Sequence, residues 1–369
     1  MTQNLRVVIT DDSALFRTVL KRTFATIGGV DVVAQAANGA EAISLVRQLN
    51  PDLLTLDLNM PVMDGLQTLR TMRELQIRCE VIVVSSETKQ GAATTFEALQ
   101  LGAVDFITKP TEANAQVSSE MLAQELRRQM AGIRLRRESS RLRRDVGSAS
   151  ASRIAIAEPV LSVSARPVSL SACSSAADII AIGTSTGGPA ALPVLLSGLP
   201  SDFTVPIVIV QHMPPIFTAG LAEALSRKSS LKVVEGHNGQ LLTRGTVYIA
   251  PGGKQMKVRR AFDKSVRLQI TDDPPENHCK PSVDVLFRSI AQEYGGNVIA
   301  AILTGMGNDG VSGMRQLKAA GAYTIAQDEA SCTVFGMPQE AIRAKVVDSV
   351  LSLDRIAPAI LNLLRSNGS

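Results

Sequence analysis

The sequence predicts an α/β protein: two doubly wound parallel-sheet domains joined by a flexible linker. Three observations predict it. The chain has 369 residues, 45% hydrophobic and 20% charged, which suffices for two domains that each bury a core. Near-continuous β-branched runs alternate with helical patterns in the first third, and the alternation resumes after residue 177. Between the two lies a Ser- and Ala-rich stretch, 146–176, of linker composition.

In the first domain, RVVIT (6–10), VVAQA (32–36), LLTLD (53–57), VIVVS (81–85) and DFITK (105–109) read as strands. SALFRTVLKRTFATIG and GAEAISLVRQL read as helices between them, and βα alternation implies a parallel sheet covered on both faces. Residues 122–145 also read as helix, with Leu122, Leu126, Met130 and Ile133 at helical spacing. Within it, 127–144 carries eight Arg against one acid, Glu138. The expected division is 1–124, first domain; 125–176, basic helix and linker; 177–369, second domain. In the second domain DIIAIG, VPIVIVQ, TVYIA, NVIAAIL and AYTIAQD read as strands, with KQMKVRR and VRLQI as a hairpin. Helices are expected at 189–198, 216–228, 282–294, 311–320 and 352–365.

Composition excludes several classes. No apolar run approaches the ~20 residues of a membrane span. The N-terminus MTQNLRVVIT has neither a charged n-region nor a cleavage site, so no signal peptide is expected. Cys79, Cys173, Cys279 and Cys332 are widely spaced and there are only three His, so they read as reduced cytoplasmic thiols rather than a zinc site. With 3% aromatics, base stacking has little to build on.

Strand carboxyl ends form the ligand crevice of an open parallel sheet. Asp11 and Asp12 end the first strand, Asp57 the third, Ser85 the fourth and Lys109 the fifth. Three carboxylates at one edge repel one another. A hard cation such as Mg²⁺, bound through oxygens, relieves the repulsion and can hold a phosphoryl donor against a carboxylate. One such Asp would be a plain loop carboxylate; the whole set at one edge is a site. Through TDDS, TLDLNMPVMDG, VVSS and FITKP, residues 4–122 resemble the receiver domain of bacterial response regulators. The resemblance implies a flavodoxin-like fold, phosphorylation of Asp57 by a histidine kinase, and Mg²⁺ held by Asp11, Asp12 and Asp57. It makes Ser85 and Lys109 phosphoryl contacts, with Ser86 an alternative for the hydroxyl, and Phe106 an aromatic that reorients on phosphorylation.

In the second domain DIIAIG runs into TSTGGP, placing Ser185 at a sharp strand-to-helix turn. Glycines permit the tight geometry, Pro189 suits a first helical turn, and the helix N-terminus favours developing negative charge. GTSTG fits the G-x-S-x-G nucleophile pattern, but a phosphate cradle or a plain turn fits it too. A base is available in His212, which ends VPIVIVQ on the same sheet edge, whereas His237 and His278 lie in polar loops. A structural His at a strand end is the bland reading. Asp309, in the glycine-rich loop after NVIAAIL, could orient His212 and complete a Ser-His-Asp triad. The same loop, Gly305 to Gly310, formally matches the dinucleotide fingerprint G-x-G-x-x-G, though Asp309 would put a carboxylate where a pyrophosphate should sit.

AIGTSTGGP, VIVQHMPPIFT, VYIAPGG, KPSVDVLF and LTGMGNDG make residues 178–365 resemble the catalytic domain of the chemotaxis protein-glutamate methylesterase family. The receiver–linker–esterase order matches across nearly the whole chain. The resemblance implies a Rossmann-like α/β esterase domain with Ser185 as nucleophile, His212 as base and Asp309 as orienting acid. The backbone N–H groups of Thr186 and Met306 would form the oxyanion hole, and the esterase reaction would need no cofactor. It implies methyl-accepting chemoreceptors as substrates, docking on membrane-bound receptor arrays, and deamidation of receptor glutamine. A nucleic-acid-binding output built on the Arg-rich stretch, and a dinucleotide-dependent enzyme built on 305–310, are the competing readings.

Overall fold

The computed structural model describes residues 4–86, 88–109, 120, 122–134, 136–137 and 177–365. The expected linker, 146–176, lies outside the described residues. In the first domain β1 (Leu5–Thr10), β2 (Val30–Ala36), β3 (Leu53–Asp57), β4 (Glu80–Ser85) and β5 (Asp105–Thr108) form a parallel sheet in the order β2-β1-β3-β4-β5. β3 is buried along its whole length, and LLTLD is accordingly apolar except for Thr55 and its terminal Asp57. α1 (Ala14–Ala25), α2 (Gly39–Leu49), α3 (Gly65–Glu74) and α4 (Lys89–Gln100) connect the strands.

A fifth helix, α5 (122–134), brings Leu122, Leu126, Met130 and Ile133 into one core with Leu5, Val7, Ile9 and Phe24. That buried face belongs to the first domain, so the helix runs past residue 124 as part of it. Among the described residues, four of the arginines of this stretch are committed within the domain. Arg128 pairs with Glu125, Arg136 with Glu80 at 3.1 Å and Arg137 with Asp52, while Arg134 donates to the Gly28 and Gly29 carbonyls. These contacts give the Arg-rich stretch a structural use other than nucleic-acid binding.

The second domain contains β6 (Ile179–Thr184), α6 (Gly188–Ser197), β7 (Ile207–Gln211), α7 (Phe217–Lys228), β8 (Lys232–Glu235) and β9 (Thr246–Ile249). The hairpin β10 (Gln255–Arg260) and β11 (Val266–Thr271) follows, antiparallel as expected. Then come α8 (Val283–Tyr294), β12 (Val298–Ile302), α9 (Val311–Ala319), β13 (Tyr323–Gln327), α10 (Met337–Arg343), β14 (Ser349–Leu351) and α11 (Leu353–Arg365). Seven strands form a parallel sheet in the order β14-β13-β12-β6-β7-β9-β8. No described helix is long and apolar enough to cross a membrane.

The domains pack through α4 and β5 of the first against α6 and α7 of the second. The Phe106 ring lies 4.5 Å from that of Phe217, and α7 approaches so closely that a Cβ on Gly220 would lie 2.9 Å from the Phe96 ring.

Candidate active site

Ser185, His212 and Asp309 follow β6, β7 and β12, three neighbouring strands with β6 in the middle. The chain builds to one side of β6 and then returns to its other side, so the three loops meet at a topological switch point, where such sheets open a crevice. The Ser185 N–H donates to the Thr304 carbonyl at 3.0 Å and the His212 N–H to the Thr184 carbonyl at 3.1 Å. Gln211 Nε2 donates to the carbonyls of both Ser185 (2.8 Å) and His212 (3.1 Å), tying the two loops together. Gly187 has a left-handed φ of 84°, and a Cβ there would lie 2.4 Å from Thr333 Cβ. A Cβ on Gly305 would lie 2.8 Å from that of Ser185. A side chain at Gly187 would collide with Thr333, and one at Gly305 with Ser185 itself.

His212 Nε2 lies 2.7 Å from Asp309 Oδ2. Asp309 sits at the N-terminus of α8. Its Oδ2 also accepts from the Val283 N–H at 2.7 Å, and Oδ1 accepts from Ser282 Oγ at 2.8 Å, the Asp284 N–H at 3.1 Å and Asn277 Nδ2 at 3.3 Å. Burial opposes ionisation of Asp309, but His212 and the backbone donors outweigh it and hold the carboxyl below its ordinary range. Burial likewise opposes charge on His212, yet the Asp309 partnership pushes its pKa up. The second ring nitrogen, Nδ1, faces Cys279 Sγ at 3.7 Å. Among the described residues no hydrogen bond joins Ser185 Oγ to the ring, and neither the Thr186 nor the Met306 backbone N–H meets an acceptor. With Asp309 committed to a histidine and a helix N-terminus, Gly305–Gly310 has no free pyrophosphate cradle.

In the first domain Lys109 Nζ lies 2.8 Å from both Asp11 and Asp57, and Asp12 is exposed beside them. The carboxylates of Asp11, Asp12 and Asp57 offer oxygens all within 4.8 Å of one another. Asp11 Oδ2 is buried and, although close to Lys109, has no partner in hydrogen-bond geometry. This all-oxygen set fits a hard divalent cation. Burial and the neighbouring Asp11 charge raise the Asp57 pKa despite Lys109. Ser85 Oγ accepts from Thr95 at 2.7 Å and donates to the Gly91 carbonyl at 3.3 Å, so α4 engages it. Ser86 Oγ pairs instead with Thr88 at 3.4 Å.

The first domain reaches the Ser185 crevice itself. Asp105 is buried and accepts from Gln129 of α5 at 2.8 Å, and the Thr186 side chain lies close enough to help stabilise its charge. Gly132 of α5 packs by Val334 and the Met306 thioether. Both oxyanion-hole candidates thus lie beside residues of the first domain.

Two family models match this chain: CheB methylesterase over residues 180–360, and response regulator receiver domain over 7–119. A protein-glutamate methylesterase/protein-glutamine glutaminase of Desulfotalea psychrophila is 41% identical over 98% of this chain and 99% of its own length. The chain belongs to the protein-glutamate methylesterase/protein-glutamine glutaminase family. A family member from Archaeoglobus fulgidus is 42% identical over 98% of both chains. The crystal structure of the Thermotoga maritima CheB methylesterase catalytic domain superposes with a TM-score of 0.50 at 39% identity, covering 51% of this chain and 99% of that one.

Sequence reasoning missed Asn277, Ser282 and Asp284, which surround Asp309, and the placement of Cys279 beside His212. The first three had a legible signal only in part: Ser282 precedes an apolar helical run as an N-cap should.

Proposed function

We propose that this methylesterase hydrolyses glutamate methyl esters, and deamidates glutamine, on chemoreceptor helices through Ser185, His212 and Asp309. The observation that carries the proposal is the buried His212–Asp309 pair beside a serine turn flanked by two backbone N–H groups that meet no acceptor among the described residues. The Nε2–H donates to Asp309, leaving the Nδ1 lone pair to accept the proton as Ser185 Oγ attacks the ester carbonyl. The Thr186 and Met306 N–H groups receive the oxyanion. The imidazolium, stabilised by Asp309, then protonates the departing methoxide. Water attacks the acyl-serine with His212 again as base. With a glutamine substrate the leaving group is ammonia, which needs that proton more.

Asp57 is the proposed phosphate acceptor, with a histidine kinase as donor. Asp11, Asp12 and Asp57 would hold Mg²⁺, whose charge offsets that of the carboxylates and the incoming phosphoryl group. Lys109 would turn from the two carboxylates to the phosphoryl oxygens. Ser85, released from α4, and Phe106, released from Phe217, would carry the change to the domain interface. The contacts of Asp105 and Gly132 with the oxyanion-hole residues support a receiver that restrains the esterase until phosphorylated. Such an enzyme works at receptor arrays without spanning the membrane.

Methanol release from methylated receptor membranes, wild type beside Ser185→Ala, tests the assignment. Near-wild-type release by Ser185→Ala would rule out the nucleophile.

A further inference from the structure

Cys279 is a free, partly exposed thiol for which ester hydrolysis has no use. Its sulfur lies 3.7 Å from His212 Nδ1. A tetrahedral Zn²⁺ bound at ~2.3 Å to sulfur and ~2.0 Å to nitrogen sets those atoms roughly 3.5 Å apart. The spacing is therefore that of two ligands of one small thiophilic cation.

A second observation lies on the opposite side of the ring. Nε2 is hydrogen-bonded to Asp309 Oδ2 at 2.7 Å, which turns the Nδ1 lone pair toward Cys279. A carboxylate on the far nitrogen is the outer partner that metal-binding histidines usually carry, fixing tautomer and ring orientation. The ligating atoms of His212, Cys279 and Asp309 all fall within 4.8 Å of one another. Asp309 is already committed to His212, Ser282 and the first turn of α8, so it serves as that outer partner rather than as a direct ligand.

We propose that His212 and Cys279 form an inhibitory site for Zn²⁺ or a similar thiophilic divalent cation, with solvent completing the coordination. On binding, the Cys279 S–H bond breaks, its proton leaves to solvent, and sulfur and Nδ1 each donate a pair to the cation. No oxidation occurs. The cation then occupies the lone pair that must take the Ser185 proton, so the esterase stops while the fold persists. The inhibitory consequence rests on His212 being the base, as proposed above; the metal site does not. Mg²⁺, which prefers oxygen, should not compete for it.

The test uses the full-length protein in excess Mg²⁺. Zn²⁺ is titrated against ester hydrolysis by wild type and Cys279→Ala, each relative to its own rate without Zn²⁺. Half-inhibition should need roughly tenfold or more Zn²⁺ in the variant, since even losing an outer partner costs a site that much. In parallel, Co²⁺ serves as a spectroscopic probe. Wild type should show a thiolate-to-cobalt charge-transfer band saturating at one equivalent, lost in Cys279→Ala and altered in His212→Ala. Equal Zn²⁺ sensitivity of wild type and Cys279→Ala, no charge-transfer band, or a band that survives Cys279→Ala would overturn the site. If the triad reading fails instead, the cobalt band still forms, because it needs no turnover.

Discussion

Asp57 and Asp309 both lie at the carboxyl-terminal edge of a parallel sheet, and their surroundings drive them in opposite directions. Asp57 is buried beside another acid, with Lys109 as its strong partner among the described residues, and its pKa is raised. Asp309 collects His212, a serine hydroxyl and two helix N-terminal N–H groups, and its pKa is lowered. A carboxylate saturated with donors is a permanent anion suited to hold and polarise a base. A carboxylate crowded by like charge gains from a cation or from covalent modification, and is suited to accept a phosphoryl group. The same architectural position thus supports two chemistries, and the donors around each oxygen select between them.

The largest expected effect tests the Asp309 side of that contrast. Ser185→Ala or His212→Ala should lower turnover by about 10⁴-fold or more, and the double variant should be little worse, because a triad acts as a unit. Multiplicative losses in the double variant would show that the residues act independently. The pH profile sharpens the point. His212 keeps its proton to higher pH than an ordinary imidazole, so the neutral base is lost as pH falls through the raised pKa. The kcat/KM should therefore keep rising above neutral pH, and Asp309→Asn should move the limb toward lower pH. A limb that stays put in that variant would detach Asp309 from the base.

Ser282→Ala removes one of the donors to Asp309 while leaving Val283 and Asp284. A hydrogen bond to a charged group is worth ~1.5–3 kcal/mol, so kcat should fall about tenfold with KM little changed and the His212 limb displaced. An unchanged limb would make Ser282 a helix cap only. The smallest effect concerns docking. Phe217→Ala removes the ring stacked on Phe106, and an aromatic pair contributes ~0.5–1.5 kcal/mol beyond its buried area. Unphosphorylated activity should rise severalfold. No rise would place the restraint in the Asp105–Thr186 and Gly132–Met306 contacts instead.

Much of this was legible in the sequence because buried parallel strands are written as β-branched runs whose ends carry the chemistry. Asp57 after LLTL and Ser185 after DIIAIGT are both of that kind. β8 and β14 went unread because they are short edge strands, only partly buried, with no continuous apolar run. α10 has seven residues, too few to establish a helical period. Asn277 and Cys279 sit in DDPPENHCKP, whose composition is that of a surface loop; only the fold brings it over His212. The helix containing Leu126 and Met130 was legible, but its membership in the receiver core was not, since periodicity gives a buried face and not the surface that covers it.

The central claim is that phosphorylation at one strand edge releases chemistry at the other. Its most direct test is methanol release from methylated receptor membranes by full-length wild type and Asp57→Asn, each with and without a small acyl-phosphate donor and Mg²⁺. The account predicts about a tenfold or greater rise in wild type, which needs only ~1.4 kcal/mol, and no rise in Asp57→Asn. Equal rates with and without donor in wild type, or the same rise in Asp57→Asn, would contradict it.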